Sequence, residues 1–471
     1  MTRPPRTRVR ARTAAAVALL ALAAAGPAHA AGWSPAQNVS ASANDLATTD
    51  VAVDRTGRTL ATWPAYRWEP GTSHGHYVLA GWYSATRAPG AAAFALPRSA
   101  PAYVAGPVLY GVSRTVGLDQ RSLEWQRCGQ RTTLRARFGT SSGDVRAPMT
   151  IVTSVGPGGN GGPAVAANDA GQVAASWAEV TASDCTRSSV RIALRRPGAS
   201  SFGAPVTLRG SGRPEAPSVA IGAGGDLLVA WARRIGEGRT AIEARLRLAG
   251  RSWGPVVRLG TGTVAGPLTT AVAQNGRAYV AWGAQSISES TGLTASFHVA
   301  VRPAGAAAFR AEQVLERVRT PVAYPPRLGP VLALSGTAAF VGWTGHDSAW
   351  RVRVSRTDAS ARFAAAQTVS PATGDAVLGD LAALPDGTAA VTWSDLDGEQ
   401  LVRDVVASVR PAGGVFGAPE PVSDGALRQP SIALDPTTRR PTVTWPQRLG
   451  PVTSVATITA YVRASTRTQA P

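Results

Sequence analysis

Tryptophan spacing constrains this chain more than any other feature. Eight of its 13 tryptophans recur at intervals of 50 to 62 residues: Trp63, Trp125, Trp177, Trp231, Trp282, Trp343, Trp393 and Trp445. Each closes an apolar run, which typically follows a Gly-containing turn and a short Pro-led apolar segment. The phrase is plainest at Pro217-Ser-Val-Ala-Ile, Gly224-Gly225 and Leu227-Leu-Val-Ala-Trp231. It returns as Pro163 to Ala167, Gly171 and Val173 to Trp177, and as Pro430 to Leu434 and Pro441 to Trp445. Self-similarity at such a period signals a repeat architecture, in which no unit buries its apolar surface alone.

A second phrase fills the interval. An alternating segment ends in Arg, then a Gly turn, an aromatic residue, often Pro, and a further apolar segment follow. Arg195-Arg-Pro-Gly198 to Phe202 and Pro205 to Leu208 is a clear copy, and others run from Arg87, Arg247, Arg302, Arg356 and Arg410. Each repeat therefore holds four short strands of period two, here labelled A to D, with A before the Gly turn, B ending in Trp, C ending in Arg and D after the aromatic. Asn275-Gly276 and Asp386-Gly387 suit tight A–B hairpins, because both residue types tolerate positive φ.

Four strands per repeat predict an all-β chain: a β-propeller with one repeat per blade. The phase of the repeat adds a closure. Trp33 to Ser40 reads as a D strand and Ser454 to Arg463 as a C strand. The first strand thus completes the last blade and removes the open sheet edge. The phrases count eight four-stranded blades. Seven is the alternative, because the second copy, Pro107 to Val112 and Leu118 to Trp125, lacks the clean Gly turn.

Residues 1–30 read as a secretory signal peptide: Arg3, Arg6, Arg8, Arg10 and Arg12, then an Ala/Leu stretch from Thr13 to Ala25, then Ala28-His29-Ala30. The apolar stretch is shorter than the ~20 residues that span a bilayer, and no later segment approaches that length. The expected organisation is this leader, one propeller domain over 31–466 with strand 33–40 completing the last blade, and a tail at 467–471. The chain carries 48 basic and 29 acidic residues, and the basic ones are all arginine. Five of these arginines and no acid lie in the leader, which leaves a formal +14. The rest are scattered along the repeats, which speaks against nucleic-acid binding. Two cysteines exclude a disulfide-dense scaffold and a four-cysteine zinc site. Cys128 and Cys185 follow the tryptophans of neighbouring repeats, on loops of one face, so an exported chain is predicted to join them as a disulfide.

The phrase order resembles the sialidase-type (BNR/Asp-box) propeller repeat over nearly all of 33–464. The resemblance implies a site on the face that carries the B–C and D–A loops. The Asp-box itself, Ser-x-Asp-x-Gly-x-Thr-Trp on the C–D turn, is eroded: Arg247-Leu-Ala-Gly250-Arg-Ser-Trp253 keeps only the Gly and the aromatic. A sialidase further requires three arginines on the substrate carboxylate, an acid, and a Tyr/Glu nucleophile pair. Arg428-Gln429-Pro430 is the nearest match to the first arginine, with Leu427 where the family carries an aromatic. No catalytic residue is assigned.

The B–C loops hold the candidate ligand residues. The first, Pro64 to His76, sets Tyr66 and Trp68 beside Glu69, His74 and His76, aromatics suited to sugar stacking together with hydrogen-bonding groups. Arg233 stands on the fourth, His346 and Asp347 on the sixth, and Asp395 and Asp397 on the seventh. No metal site and no cofactor are assigned. The leading expectation is a secreted, monomeric, non-catalytic propeller that binds glycan or anionic cell-envelope polymer. A sialidase-like glycoside hydrolase or lyase is the alternative, and an extracellular protein-interaction platform is a third reading.

Overall fold

The computed structural model describes residues 32–40, 49–69, 76–100, 105–121, 131–155, 162–180, 188–209, 213–288, 292–320, 329–396, 402–424, 429–449 and 459–469. The described residues form eight four-stranded antiparallel sheets and no helix. The chain is an eight-bladed propeller. In blade 4 the order is A (Arg213–Ile221), B (Leu227–Gly236), C (Arg239–Arg247) and D (Val257–Gly262). The A strands of successive blades contact one another around a central channel, and the strand Asp50–Val53 of blade 1 meets Ser431–Leu434 of blade 8. Blade 8 takes its outermost strand from the other end of the chain: Gln37–Asn38 pairs with Thr459–Thr466, with Gln37 opposite Ala464. The predicted closure is therefore present.

The repeated tryptophans form the layer between blades. Trp63, Trp231, Trp282, Trp343, Trp393 and Trp445 are buried almost completely, and Trp177 nearly so. Burying about 200 Å² of ring at ~25 cal/mol per Å² gives each an upper bound of roughly 5 kcal/mol of transfer free energy. Blade 2 departs from the pattern. Its register sets Leu118 opposite Ala136, and Ala136 opposite Met149, which puts Asp119 where the other blades carry Trp. Trp125 lies outside the described residues, six positions further on, which explains the long first interval.

The turns agree with the sequence. Gly276 and Gly387 adopt φ of 79° and 97° in their A–B hairpins. The repeat arginines that end the C strands are structural: Arg87 lies over Phe94, Arg247 over Trp253 and Arg195 over Phe138, 4.6 to 5.7 Å from the ring centres. Arg356 and Arg410 make the same kind of contact with Phe340, so five arginines among the described residues are held over rings.

One expectation needs correction. The stretch read as a loop from Pro64 to His76 is mostly strand. Strand B of blade 1 runs Thr59–Glu69 and strand C runs His76–Arg87. A bulge between Ala65 and Tyr66 keeps the ladder going, with Tyr66 opposite Leu79, Trp68 opposite Tyr77 and Glu69 opposite His76. Blade 5, across the ring, has a similarly long pair, Ala278–Ser288 and Gly292–Arg302. These two hairpins extend on opposite sides of the loop face.

Candidate functional site

The D–A and B–C connections share one face, and a cleft of about 760 Å³ opens on it over blade 4. Pro217 and Ser218 of strand A and Pro267 and Leu268 of the next blade's A strand line its inner part. Its outer part is charged: Glu215, Arg234, Glu237 and Arg239. Arg234, Glu237 and Arg239 are exposed, and among the described residues none of these four charges has an ion-pair partner. The proline rings give flat, stiff apolar surface, and the two guanidinium groups offer planar donors to a carboxylate or sulfate.

Strand alternation separates Arg233 from this cleft. Residues one apart point to opposite sides of a strand, so Arg233 shares the side of Trp231 and Arg234 takes the other. Arg233 donates to Glu243 Oε1 at 2.8 Å through Nε, and Trp231 Nε1 donates to Glu243 Oε2 at 3.0 Å. Arg209 of blade 3 approaches the same carboxylate at 3.6 Å. Arg233 is committed to the blade interface, and its neighbour Arg234 is the arginine that lines the cleft.

The same chemistry recurs elsewhere. Trp343 Nε1 donates to Glu316 of blade 5 at 2.6 Å, and Arg353 pairs with that carboxylate at 2.6 Å. Trp393 Nε1 donates to Asp395 Oδ1 at 2.9 Å. Burial pushes the Asp395 carboxyl above its usual range; the indole bond opposes this and the Asp404 charge adds to it. His346 ends strand B of blade 6, with its ring edge-on to Trp350 at 4.7 Å. Asp347 follows in the turn, where it accepts from the Ser348 amide at 2.6 Å and from Arg353 at 3.1 Å. A small burial penalty there is outweighed by those amide bonds and by the charges of Arg351 and Arg353, so its carboxyl sits below the usual range. His346, Asp347 and Asp395 are therefore not brought into one site with Arg233.

Tyr66 is partly buried, and the backbones of Trp68, Glu69 and His76 continue the blade 1 hairpin. His74, Asp397, Cys128, Cys185 and Arg428 lie outside the described residues. Among the described residues no group of three or more His, Cys, Asp and Glu is placed to hold a metal ion. No helix there is long and apolar enough to cross a membrane.

The central channel holds a feature that the sequence reading missed. Asp50, Ser431 and Asp380 occupy one register position on the A strands of blades 1, 8 and 7: opposite Thr62, Thr444 and Thr392, each the residue before the blade's Trp. Asp380 accepts from Ser431 Oγ at 2.9 Å and from the Ile432 amide at 3.1 Å. Asp50 keeps exposed surface at the edge of its strand, next to buried Thr49 and Val51. Burial and then the Asp380 charge push its carboxyl up to about 7, against bonds from the Val51 amide and Ser431. Other blades carry Ser, Thr, Ala or Val at this position, so Asp after the small residue that opens the phrase was the available signal.

A buried histidine also escaped the sequence reading. His298 stacks on Trp282 at 5.3 Å, bonds Ser296 Oγ at 2.7 Å and faces Glu312 at 3.4 Å. Burial, helped by the Arg317 charge, lowers its imidazole to about 4, so the ring is neutral near pH 7.

No protein-family model and no curated protein matches the chain. Solved structures resemble it in fold. A Hadza microbial sialidase is 11% identical, with 91% of this chain and 94% of that one covered, at a TM-score of 0.36. An ulvan lyase, described as a new polysaccharide lyase family, is 10% identical over 74% and 89%, at 0.42. A protein of unknown function from Dyadobacter fermentans is 10% identical over 92% and 97%, at 0.38. Likeness at this level leaves function to the chain's own residues.

Proposed function

We propose that the protein is an exported, non-catalytic propeller whose loop-face cleft binds an anionic extracellular polysaccharide. The observation that carries this reading is the pair Arg234 and Arg239, without carboxylate partners among the described residues, on the wall of a proline-lined cleft. Away from the cleft, the acids beside the repeat tryptophans are engaged by the fold. Glu243, Glu316 and Asp395 each accept an indole N–H, and the two glutamates also pair with arginine, so these carboxylates are occupied.

Binding of polygalacturonate, set against a neutral glucan, tests the proposal. The charged polymer binds and is displaced as salt rises, because exposed charges are screened. The double variant Arg234→Ala, Arg239→Ala loses about tenfold or more in affinity, and the polymer stays intact. Equal binding of the neutral glucan, or an unaffected double variant, overturns it.

A second reading rests on one observation. Asp50 and Asp380 put two coupled carboxyl groups in the channel, one of them poised near neutrality, as general acid–base chemistry requires. Cleavage of the polymer that disappears in Asp50→Asn would establish a glycoside hydrolase or lyase instead.

A further inference from the structure

The rim of the ring carries a repeated polar latch, and at one of the joints without it a cleft stands in its place. The residue four beyond the C–D aromatic occupies one register position in the seven blades that carry one, and in blade 2 Met149 holds it four beyond Val145. In blades 5 and 6 it is Gln313, opposite Val299, and Gln367, opposite Val354. Each glutamine reaches the next blade and grips the main chain of its aromatic. Gln313 Nε2 donates to Phe363 O at 2.8 Å and its Oε1 accepts from Phe363 N at 3.1 Å. Gln367 does the same to Phe416, at 2.8 and 3.1 Å. Gln37 of blade 8 donates to Ala92 O of blade 1.

In blade 4 the position belongs to Val257, opposite Ala244. The turn it faces is one residue longer but closes on the equivalent hydrogen bond. Arg310 N bonds Val301 O in blade 5, as Ala364 N bonds Arg356 O in blade 6 and Gly417 N bonds Val409 O in blade 7. Phe309 therefore presents its N–H and C=O as Phe363 and Phe416 do, but Val257 cannot receive them. A cleft of about 390 Å³ stands there instead, lined by Leu246, Leu248, Pro255, Val257 and Phe309, with Arg251 at its edge. Leu248 is partly exposed, and Arg251 is exposed with no ion-pair partner among the described residues.

We infer that this rim cleft binds an extended polypeptide that inserts a glutamine side chain beside an acidic residue. The amide takes the place of the missing latch, with two hydrogen bonds to Phe309 in an apolar bed. The acidic neighbour answers Arg251. The site is on the opposite face from the polysaccharide cleft and does not depend on it.

The probe is a fluorescent Ala-Glu-Gln-Val-Leu peptide, which copies residues 311–315 of this chain, titrated into the intact protein by anisotropy. Two neutral hydrogen bonds at ~1 kcal/mol each make the glutamine worth about tenfold or more in affinity. The peptide binds, and its Gln→Leu analogue binds about tenfold more weakly. Val257→Gln abolishes binding by filling the cleft from within, and Arg251→Glu weakens it. No binding of the glutamine peptide, or equal binding of the leucine analogue, overturns the proposal. The peptide comparison on the unmodified protein stands whether or not either variant folds.

Discussion

The two arcs of the ring are held differently at the rim. From blade 5 round to blade 1, the position four beyond the aromatic carries Gln313, Gln367, Glu420 and Gln37, and each engages the next blade's turn. Glu420 varies the device: it accepts the Trp33 indole N–H at 2.9 Å and pairs with Arg467 at 2.9 Å. From blade 1 round to blade 5 the same position carries Arg98, Met149, Val206 and Val257, and the rim latch is missing. Both clefts lie in that second arc. Buried tryptophans line both arcs, blade 2 excepted, where Asp119 holds the Trp position. Ring integrity thus rests on tryptophan burial, while the rim amides tie the C–D turns of one arc and a cleft stands at the Val257 joint of the other.

The largest effect is expected at the closing joint. Glu420→Ala leaves the Trp33 indole and Arg467 without their acceptor where the chain ends meet, at a cost of about 2–3 kcal/mol in urea unfolding. A cost below about 0.5 kcal/mol would mean that the latch is incidental. Gln367→Leu removes two hydrogen bonds from the same arc and lowers stability by about 1–2 kcal/mol.

Part of this contrast was legible in the sequence and part was not. Eight blades and the terminal closure follow from the tryptophan period and the strand phase, because burial at every blade interface imposes both. The latch was hidden, since glutamine recurs at only three of the eight positions and its meaning appears only when the strands are registered. Trp125 misled for a related reason: spacing alone could not reveal that Asp119 holds its place in blade 2. Tyr66, Trp68 and Glu69 looked like loop because His74-Gly-His76 reads as a turn, yet the ladder persists to Glu69. Arg233 and Arg234 are adjacent in the chain, and only the face of strand B that carries Trp231 decides which one lines the cleft.

Titration probes the joint from the channel side. Asp50 holds its proton more tightly in the folded state, with a carboxyl near 7 against an ordinary value near 3.8. The folded state then binds more protons than the unfolded state across that window, so stability falls as pH rises from about 4 to about 7. Asp50→Asn flattens this slope in melting curves between pH 4 and 8; an unchanged slope would assign it to other groups. The smallest effect is the converse of the first two: Val257→Gln installs a latch in the open arc and adds up to about 1 kcal/mol.

Hydrogen exchange followed by mass spectrometry, on the protein alone and with polygalacturonate, tests the central claim most directly. Without ligand, the C–D turns of blades 1, 6 and 7 exchange more slowly than those of blades 2 to 5. With ligand, protection appears at the blade 4 hairpin around Arg234 to Arg239 and nowhere in the latched arc. Equal exchange of all the turns, or ligand protection that misses blade 4, would contradict the account.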